Sequence, residues 1–482
     1  MERIKKFLFS NTSTRQTIIK NTFWLGISTT LSKIIRSIVI IYAARLLGAD
    51  SYGIFTYTLS LAAIFSIFSD IGLSGLLTRE LSKEKDFKFA STTFVIKIVL
   101  IIIAFLLMII IGPEITKFEE AKQLIFIVAI LIAFDSLRSF IYSVARAQNN
   151  MQTEAGLEII TEVFITLACV YMLLTSPSAT SLAIGYAIGG GAGLLISILT
   201  LKKYFSGIYR NFQRTRVPKI INSAAPFALM GIFGVLMTNI DSVIIGIFGD
   251  AKALGQYAAA QRPISLLYLI PGFLYASLFP IMSKLAGNNE KKNMHLLIQK
   301  STTLSMGIAI PLVIGGIILA YPLINVVFGS EFTGGVSTFQ ILLLTLLPIF
   351  PGMILSNVIF AENKQKIFIK SSLSGAIINL TLDLILIPIL GIMGSAIATV
   401  IAQVVTNGII FKEVKKDYPI NIYSNIKKIL LATFTMTALV LILKSLMVPL
   451  IVIVPLSMIA YIGILILLKE ELIKDIKDSI RI

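Results

Sequence analysis

The chain has 482 residues, of which 56% are hydrophobic and only 14% are charged, and its mean hydropathy is +0.89. Soluble domains carry about a quarter of charged residues, so this composition excludes an ordinary soluble protein and indicates a polytopic membrane protein. A net charge of +17 would suggest nucleic acid binding in a soluble chain. In a membrane protein, basic residues gather in cytoplasmic loops, so no nucleic acid partner is expected.

Two apolar runs, residues 22–44 and 54–77, come first and are joined by a tight turn. Each exceeds the roughly 20 residues that cross a bilayer. Lys33 and Arg36 lie near the middle of the first run, and Asp70 lies in the second. A charge at that depth costs about 2.5–3.5 kcal/mol, so it should face protein or water. Because Lys33 and Arg36 share one helix face, they suggest a path for an anion.

The rest of the hydropathy pattern predicts further spans along the whole chain. The expected fold is all-α and polytopic, with about 14 transmembrane helices in two pseudo-symmetric six-helix lobes plus two C-terminal helices. The predicted segments are a cytoplasmic N-terminal segment (1–21), an N-lobe (22–201), a basic cytoplasmic linker (202–219), a C-lobe (220–411), a cytoplasmic loop (412–425), the last two spans (426–468) and a cytoplasmic tail (469–482).

The loop charges support this arrangement independently. If the N-terminus is inside, alternate loops hold most of the basic residues, as the positive-inside rule requires. The outer side then holds only Arg45, Lys117, Lys122, Lys252 and Lys444. Both termini are therefore predicted to be cytoplasmic, in a multi-pass protein of the cytoplasmic membrane. The first run is too long for the apolar region of a cleavable signal peptide.

Short patterns recur in the two halves of the chain. Residues 147–150 (Ala-Gln-Asn-Asn) correspond to residues 361–364 (Ala-Glu-Asn-Lys), and the glycine-containing turn at residues 48–53 resembles that at residues 249–255. In transporters built from repeats, the substrate site lies at the interface between repeats. The glycine-rich run at residues 189–193 predicts close helix contacts.

Five basic residues inside predicted spans form the candidate substrate-binding set: Lys33, Arg36, Lys97, Arg138 and Arg262. Lys97 is close enough to the inner end of its span to snorkel. Arg138 has a local alternative as well, an ion pair with Asp135 three residues before it. Lys33, Arg36 and Arg262 are too deep for easy snorkelling, which favours a cavity role.

Three acids inside spans are candidate coupling or ion-pairing residues: Asp70, Glu162 and Asp241. Glu162 belongs to an acidic stripe with Glu154 and Glu158, whose positions suit the positive N-terminal end of a helix. Deeper in the span, Glu162 suits a basic partner or a proton. Asp241 is the isolated candidate of the second half, since a carboxylate in a low-dielectric site can carry a proton.

Motifs for catalysis are missing from the sequence. One histidine and one cysteine leave little material for a metal site or a Ser-His-Asp triad. A P-loop for ATP is also lacking. No metal or cofactor is therefore expected. The predicted outer loops are short, which disfavours a membrane glycosyltransferase or polymerase, so the chain is not expected to be an enzyme.

Several residue patterns together carry a family resemblance. They are Asn21-Thr-Phe-Trp-Leu-Gly26, Ala44-Arg-Leu-Leu-Gly48 with Tyr52-Gly53, Asp70-Ile-Gly-Leu73 with Thr78-Arg-Glu80, Asp241, Gly255-Gln-Tyr257 and Ala260-Gln-Arg262. With them, the whole chain resembles the polysaccharide-exporter branch of the multidrug/oligosaccharidyl-lipid/polysaccharide (MOP) superfamily, especially the O-antigen-type oligosaccharide flippases.

This resemblance implies alternating access and a substrate of polyprenyl-pyrophosphate-linked oligosaccharide, moved from the cytoplasmic to the outer leaflet for cell-surface polysaccharide biosynthesis. By position, Arg36 with Lys33, and Arg262, would meet the pyrophosphate. The last two helices are a candidate groove for the lipid tail, as in the related lipid II flippases. Membrane lipids, a coupling H⁺ or Na⁺ and polysaccharide-assembly proteins are the other candidate partners. The alternative is a cation-coupled multidrug antiporter of the same superfamily, whose cavity should be acidic, whereas the first lobe here is basic.

Overall fold

The computed structural model describes residues 14–83, 87–205, 211–420 and 423–468, and the regular structure in these ranges is helical. The helices are α1 (Thr14–Asp70), α2 (Leu73–Lys83), α3 (Phe87–Ile115), α4 (Glu119–Ala147), α5 (Met151–Thr175), α6 (Ala179–Phe205), α7 (Val217–Phe248), α8 (Ala251–Leu267), α9 (Leu269–Gly287), α10 (Lys291–Phe328), α11 (Val336–Leu343), α12 (Leu346–Ala361), α13 (Gln365–Leu390), α14 (Ile392–Asp417), α15 (Tyr423–Ser445) and α16 (Leu450–Leu467). Short 3₁₀ turns at Arg214–Arg216 and Ser330–Gly335 precede α7 and α11.

The number of spans agrees with the sequence. Among the described residues, 12 helical segments are long and apolar enough to cross a membrane, and a pair bent by 42°, formed by α11 and α12, makes 13. Gly48 (φ 74°, ψ 176°) interrupts α1 at the predicted turn and divides it into two spans. With this division the described chain has 14 candidate spans, which agrees with the predicted all-α polytopic architecture.

Several span ends differ from the prediction. Ile71 and Gly72, with φ angles of 37° and 80°, break the second predicted span before α2 begins. Residues 14–21 are already helical and continuous with the first span, and α14 continues to Asp417, past the predicted end at residue 411. Hydropathy marks only the part of a helix that crosses hydrocarbon, whereas polar residues continue its backbone hydrogen bonds beyond that layer. Residues 1–13 and the predicted tail at 469–482 lie outside the described ranges.

The two Ala-x-Asn-x segments have the same backbone structure. Their third residues, Asn149 and Asn363, have left-handed φ angles of 54° and 58°. In each turn, the N–H of the fourth residue donates to the carbonyl five residues earlier, at 3.1 Å for residue 150 and 2.8 Å for residue 364. This is the Schellman arrangement that ends a helix, and asparagine tolerates the left-handed conformation well. The same turn also ends α9 at Asn289 and α15 at Met447, so it is a recurrent helix ending in this chain and does not by itself identify a repeat.

The two glycine-containing turns pack against each other within one compact unit of the chain, residues 1–258. A Cβ added at Gly53 of α1 would lie 2.0 Å from the backbone oxygen of Ala251, and one added at Gly255 of α8 would lie 2.0 Å from the backbone oxygen of Ala49. The contact is reciprocal: Ala251 is four residues before Gly255, and Ala49 is four residues before Gly53. The reciprocal contact is the one expected of two copies of one pattern.

The glycine-rich run of α6 packs closely against α5, as its sequence predicts. A Cβ at Gly189 would lie 2.3 Å from the Cα of Ile165, and one at Gly193 would lie 2.3 Å from the Oγ1 of Thr161. The two glycines are one helical turn apart on the same face. Side chains larger than hydrogen would therefore separate α5 from α6, both of which contribute to the polar cavity described below.

The chain divides into two compact units, residues 1–258 and 259–482. In the first unit, buried Leu73 and Leu76 of α2 pack with Ile220 of α7, so α7 belongs to this unit. In the second unit, a buried cluster that includes Met294 and Ile354 joins α9, α10, α12 and α14. The lobes read from the sequence, residues 22–201 and 220–411, remain a prediction.

Candidate functional site: a polar cavity in the first unit

A cavity of about 340 Å³ lies between α1, α3, α4, α5 and α6. Its polar lining residues are Arg36, Ser66, Ser69, Asp70, Lys97, Asp135, Ser136, Ser139 and Tyr186. Arg36 is 12 residues before the break at Gly48, or about 18 Å at 1.5 Å per residue. Measured from that break, this distance corresponds to about the middle of a hydrocarbon core that is ~30 Å thick.

Asp70 and Lys97 form an ion pair on the cavity wall, with 2.6 Å between Oδ1 and Nζ. The Lys97 side chain is 0% exposed, whereas that of Asp70 is 35% exposed. The same Oδ1 accepts hydrogen bonds from the backbone N–H of Ser74 (3.1 Å) and from its hydroxyl (2.8 Å). Asp70 thus caps the start of α2, because the break at residues 71–72 leaves it just before that helix. Lys97 is buried and holds Asp70, so it does not snorkel.

Arg36 and Glu162 of α5 form a side-on ion pair. Nε donates to Oε2 at 3.0 Å, and Nη2 donates to Oε1. The Arg36 side chain is 43% exposed, whereas that of Glu162 is only 4% exposed. A guanidinium has five N–H donors, of which this pair uses two. Glu162 therefore has a basic partner, one of the two roles that the sequence suggests, and it orients Arg36 while leaving donors for a second ligand.

Arg138 pairs locally with Asp135, at 2.6 Å between Nη2 and Oδ1. This is the simpler of the two interpretations of Arg138. Arg36, Lys97 and Arg138 are therefore each matched by a carboxylate. The cavity is not a surface of one sign, and an anion would be recognised there by hydrogen-bond geometry more than by excess positive charge.

Of the eight predicted site residues, only Arg36, Asp70 and Lys97 are among the described lining of this cavity. Arg138 and Glu162 are paired with the lining residues Asp135 and Arg36, and the other three lie elsewhere. Lys33 is exposed, three residues before Arg36. Arg262 is partly buried and belongs to the second unit. Asp241 is buried in α7, where its Oδ2 accepts a hydrogen bond of 2.5 Å from the hydroxyl of Tyr257.

Sequence reasoning missed the serines of the cavity. Ser69 and Ser136 hydrogen-bond through their hydroxyls at 2.8 Å and connect the two helices that carry Asp70 and Asp135. Ser66 and Ser139 lie one turn away from them on the same walls. A signal was present, since a pair of serines three residues apart directly precedes Asp70 and another such pair directly follows Asp135. Hydroxyls and carboxylates at this spacing can donate to and accept from sugar hydroxyls.

The second unit contains an apolar cavity of about 570 Å³, lined by α8, α10, α11, α15 and α16. Its two hydroxyl side chains are bonded within the protein. Tyr461 donates to the carbonyl of Gly307 at 2.6 Å, and Ser457 donates to that of Ile453 at 2.6 Å. The last two helices therefore contribute to a surface that offers a ligand almost only apolar contact.

Comparison with known proteins identifies the family. The polysaccharide biosynthesis protein model matches residues 18–286, more than half of the chain, and the MatE model matches residues 226–385. The chain belongs to the polysaccharide biosynthesis protein family. This membership confirms the resemblance to the polysaccharide flippases of the MOP superfamily and the assignment as a multi-pass membrane protein.

The chain is also similar in sequence to proteins with descriptive names. "Probable low-salt glycan biosynthesis flippase Agl15" of Haloferax volcanii is 25% identical over 75% of this chain and 76% of its own length. "Capsular polysaccharide biosynthesis protein CapF" of Staphylococcus aureus is 19% identical over 80% of this chain and 97% of its own.

The solved structures establish the fold. The inward closed conformation of the lipid II flippase MurJ has a TM-score of 0.75 at 20% identity and covers 93% of this chain and 99% of its own. An inward-facing multidrug resistance MATE family transporter has a TM-score of 0.61 at 15% identity, over 80% of this chain and 94% of its own. The family member therefore has the MOP fold, which the flippase and antiporter branches share.

Proposed function

We propose that this chain is a flippase that moves polyprenyl-pyrophosphate-linked oligosaccharide from the cytoplasmic to the outer leaflet of the cytoplasmic membrane by alternating access. The observation that carries the proposal is the guanidinium of Arg36, half-exposed to a polar cavity at mid-membrane depth and oriented by a buried carboxylate. The polysaccharide branch of the family and the names of its relatives point to the same substrate class.

Arg36 would bind the pyrophosphate with the donors that Glu162 does not use. A guanidinium presents donors in a rigid fork that matches phosphate oxygens, and charge-assisted hydrogen bonds replace the water that the phosphate loses. Because Glu162 fixes the plane of the guanidinium, less side-chain entropy is lost on binding. Lys33, one turn away, is a further candidate for the same anion, and Arg262 of the second unit is a separate candidate for binding the pyrophosphate.

Lys97 and Asp70 would act differently. With its side chain fully buried, Lys97 would position Asp70, and the exposed part of that carboxylate would face the sugars. Asp135 and the four cavity serines would add acceptors and donors for sugar hydroxyls. The lipid tail would occupy the apolar cavity of the second unit, which α15 and α16 help to form.

A flipping assay in liposomes tests the proposal. Purified protein would be reconstituted with a fluorescent polyprenyl-pyrophosphate oligosaccharide, and wild type compared with Arg36→Ala, Arg36→Lys and Arg262→Ala. Arg214→Ala, at an exposed position before α7, is the charge-matched control. We expect Arg36→Ala to lower the flipping rate by about tenfold or more, because a charge-assisted hydrogen bond contributes about 1.5–3 kcal/mol.

The outcomes separate the alternatives. If a correctly folded Arg36→Ala variant flips the substrate at the wild-type rate, the chain is still a flippase but Arg36 does not bind the pyrophosphate. No flipping by wild type, with proton- or sodium-coupled export of organic cations instead, would assign the chain to the antiporter branch. Sugar transfer by the purified protein would indicate an enzyme. Repeating the assay with H⁺ or Na⁺ gradients tests the coupling ion.

A further inference from the structure

A second cavity in the second unit, of about 580 Å³, has a lining that changes along its length. On α14 its lining extends from Val404 through Gly408 and Phe411 to Lys415, and Ile426 of α15 is also part of the lining. Only two of its described lining residues have polar side chains. One is Lys415, and the other is Asn407, whose amide donates to the carbonyl of Gln403 at 2.8 Å. The cavity is thus apolar with one basic end.

Its length corresponds to one leaflet. Val404 and Lys415 are 11 residues apart, or about 16 Å along a helix that rises 1.5 Å per residue. Half of a hydrocarbon core is about 15 Å thick. Val404 at the apolar end is 53% exposed, so the cavity is not sealed there by protein.

The basic end carries a concentrated positive charge. The last turns of α14 and the first turns of α15 carry four more lysines, all exposed: Lys412, Lys416, Lys427 and Lys428. The neighbouring acids are already engaged, Glu413 by Lys416 at 2.5 Å and Asp417 by Lys364 at 2.5 Å. Lys415 lies over the ring of Phe411, 5.8 Å from its centroid, at the point where the apolar wall begins. An anion at this end would therefore meet a net positive charge.

We propose that this cavity binds an anionic phospholipid of the leaflet that faces the basic loops. The headgroup phosphate would lie among Lys415, Lys427 and Lys428, and one acyl chain would extend between α12 and α14 toward Val404. Basic pockets between membrane helices recognise anionic headgroups in this way. The lipid would connect α14 to α15 and so stabilise the packing of the last two helices on the second unit.

The lining argues against the glycan-linked substrate as the occupant. Sugars need several donors and acceptors, and the only uncharged polar side chain in the lining, Asn407, is already bonded within α14. The proposal goes beyond the flippase function and does not depend on it, because lipid binding can be measured on protein that transports nothing.

Two matched pairs of variants test the site in the full chain. Gly408→Leu would place a branched side chain in the cavity at a position where an added Cβ has no neighbour within 4 Å. Gly463→Leu in α16 is its control, equally open but outside the cavity lining. Lys415→Gln removes the charge at the cavity end, and Lys292→Gln removes an exposed charge from the start of α10.

The measurement is the thermal unfolding midpoint of detergent-purified protein titrated with phosphatidylglycerol or phosphatidylcholine, with native mass spectrometry to count retained lipids. We expect phosphatidylglycerol to raise the wild-type midpoint more than phosphatidylcholine does. Lys415→Gln should weaken the apparent affinity about fivefold, and Gly408→Leu should remove the difference between the lipids. Both controls should behave as wild type.

Other results would overturn the proposal. If Gly408→Leu folds, with an unchanged midpoint in detergent alone, and still responds to phosphatidylglycerol, the lipid binds elsewhere. If wild type responds equally to the two phospholipids, the cavity does not select an anionic headgroup. A response to polyprenyl phosphate but not to phosphatidylglycerol would show that the cavity binds the lipid of the substrate instead. Because none of these readouts uses flipping, they are independent of the flipping assay.

Discussion

The ion pair of Asp70 and Lys97 predicts an unequal response to the loss of either partner. Lys97 has no solvent exposure, whereas a third of the Asp70 side chain is exposed and its Oδ1 also accepts two hydrogen bonds from Ser74. Lys97→Met would leave a carboxylate that is still hydrated and bonded, at a cost of about 1–2 kcal/mol. Asp70→Asn would leave a buried ammonium without its counter-charge. Removing one partner of a buried ion pair costs about 3–5 kcal/mol. For Asp70→Asn we expect the lower end of this range, because the amide oxygen of asparagine still accepts a hydrogen bond.

The assay is the thermal unfolding midpoint of the purified variants in one detergent. The expected order, from most to least stable, is wild type, Lys97→Met and Asp70→Asn. The double variant should lie above Asp70→Asn, since methionine removes the stranded charge. The reasoning would be refuted if Lys97→Met were the less stable single variant, or if the double variant gained nothing over Asp70→Asn.

Two further predictions concern packing and pH. Gly53→Ala should destabilise the protein by about 1–3 kcal/mol, because the added Cβ would overlap a backbone oxygen. Gly26→Ala is the control in the same helix, since a Cβ there has no neighbour within 4 Å. Equal unfolding midpoints of the two variants would contradict the contact at Gly53. Outside the spans, burial lowers the pKa of Lys364, but its hydrogen bonds to Asp417 and Glu362 outweigh burial and hold that pKa above its ordinary value of 10.5. The stabilisation is therefore present below pH 10.5 and lost as pH rises through the raised pKa. Because the Lys364 side chain is one-third exposed, this stabilisation amounts to about 1 kcal/mol at most. The difference in unfolding midpoint between wild type and Lys364→Met should therefore shrink toward pH 11. A difference that grows with pH would contradict a raised pKa of Lys364.

The sequence was sufficient for the class of fold because membrane insertion is a local property. Each span must satisfy its own backbone hydrogen bonds in hydrocarbon, so a run of about 20 apolar residues predicts a helix without knowledge of its neighbours. The repeated Asn149 and Asn363 turns could be found for the same reason, since a Schellman turn is a local structure. Breaks inside spans were harder to predict. The break at Ile71 and Gly72 lies against α7, since a Cβ on Gly72 would be 2.4 Å from the backbone nitrogen of Ala228, and this close contact forms only in the tertiary structure.

The candidate site shows where sequence reasoning ended. Sequence by itself determined that charged residues stand at membrane depth and must face protein or water, because their desolvation cost does not depend on the fold. Only the tertiary structure decided their partners. Arg36 and Glu162 are 126 residues apart in the chain, and Asp70 and Lys97 are on different helices. Pairing energy depends on distances of a few ångströms between side chains from different helices, and such distances exist only once the helices have packed.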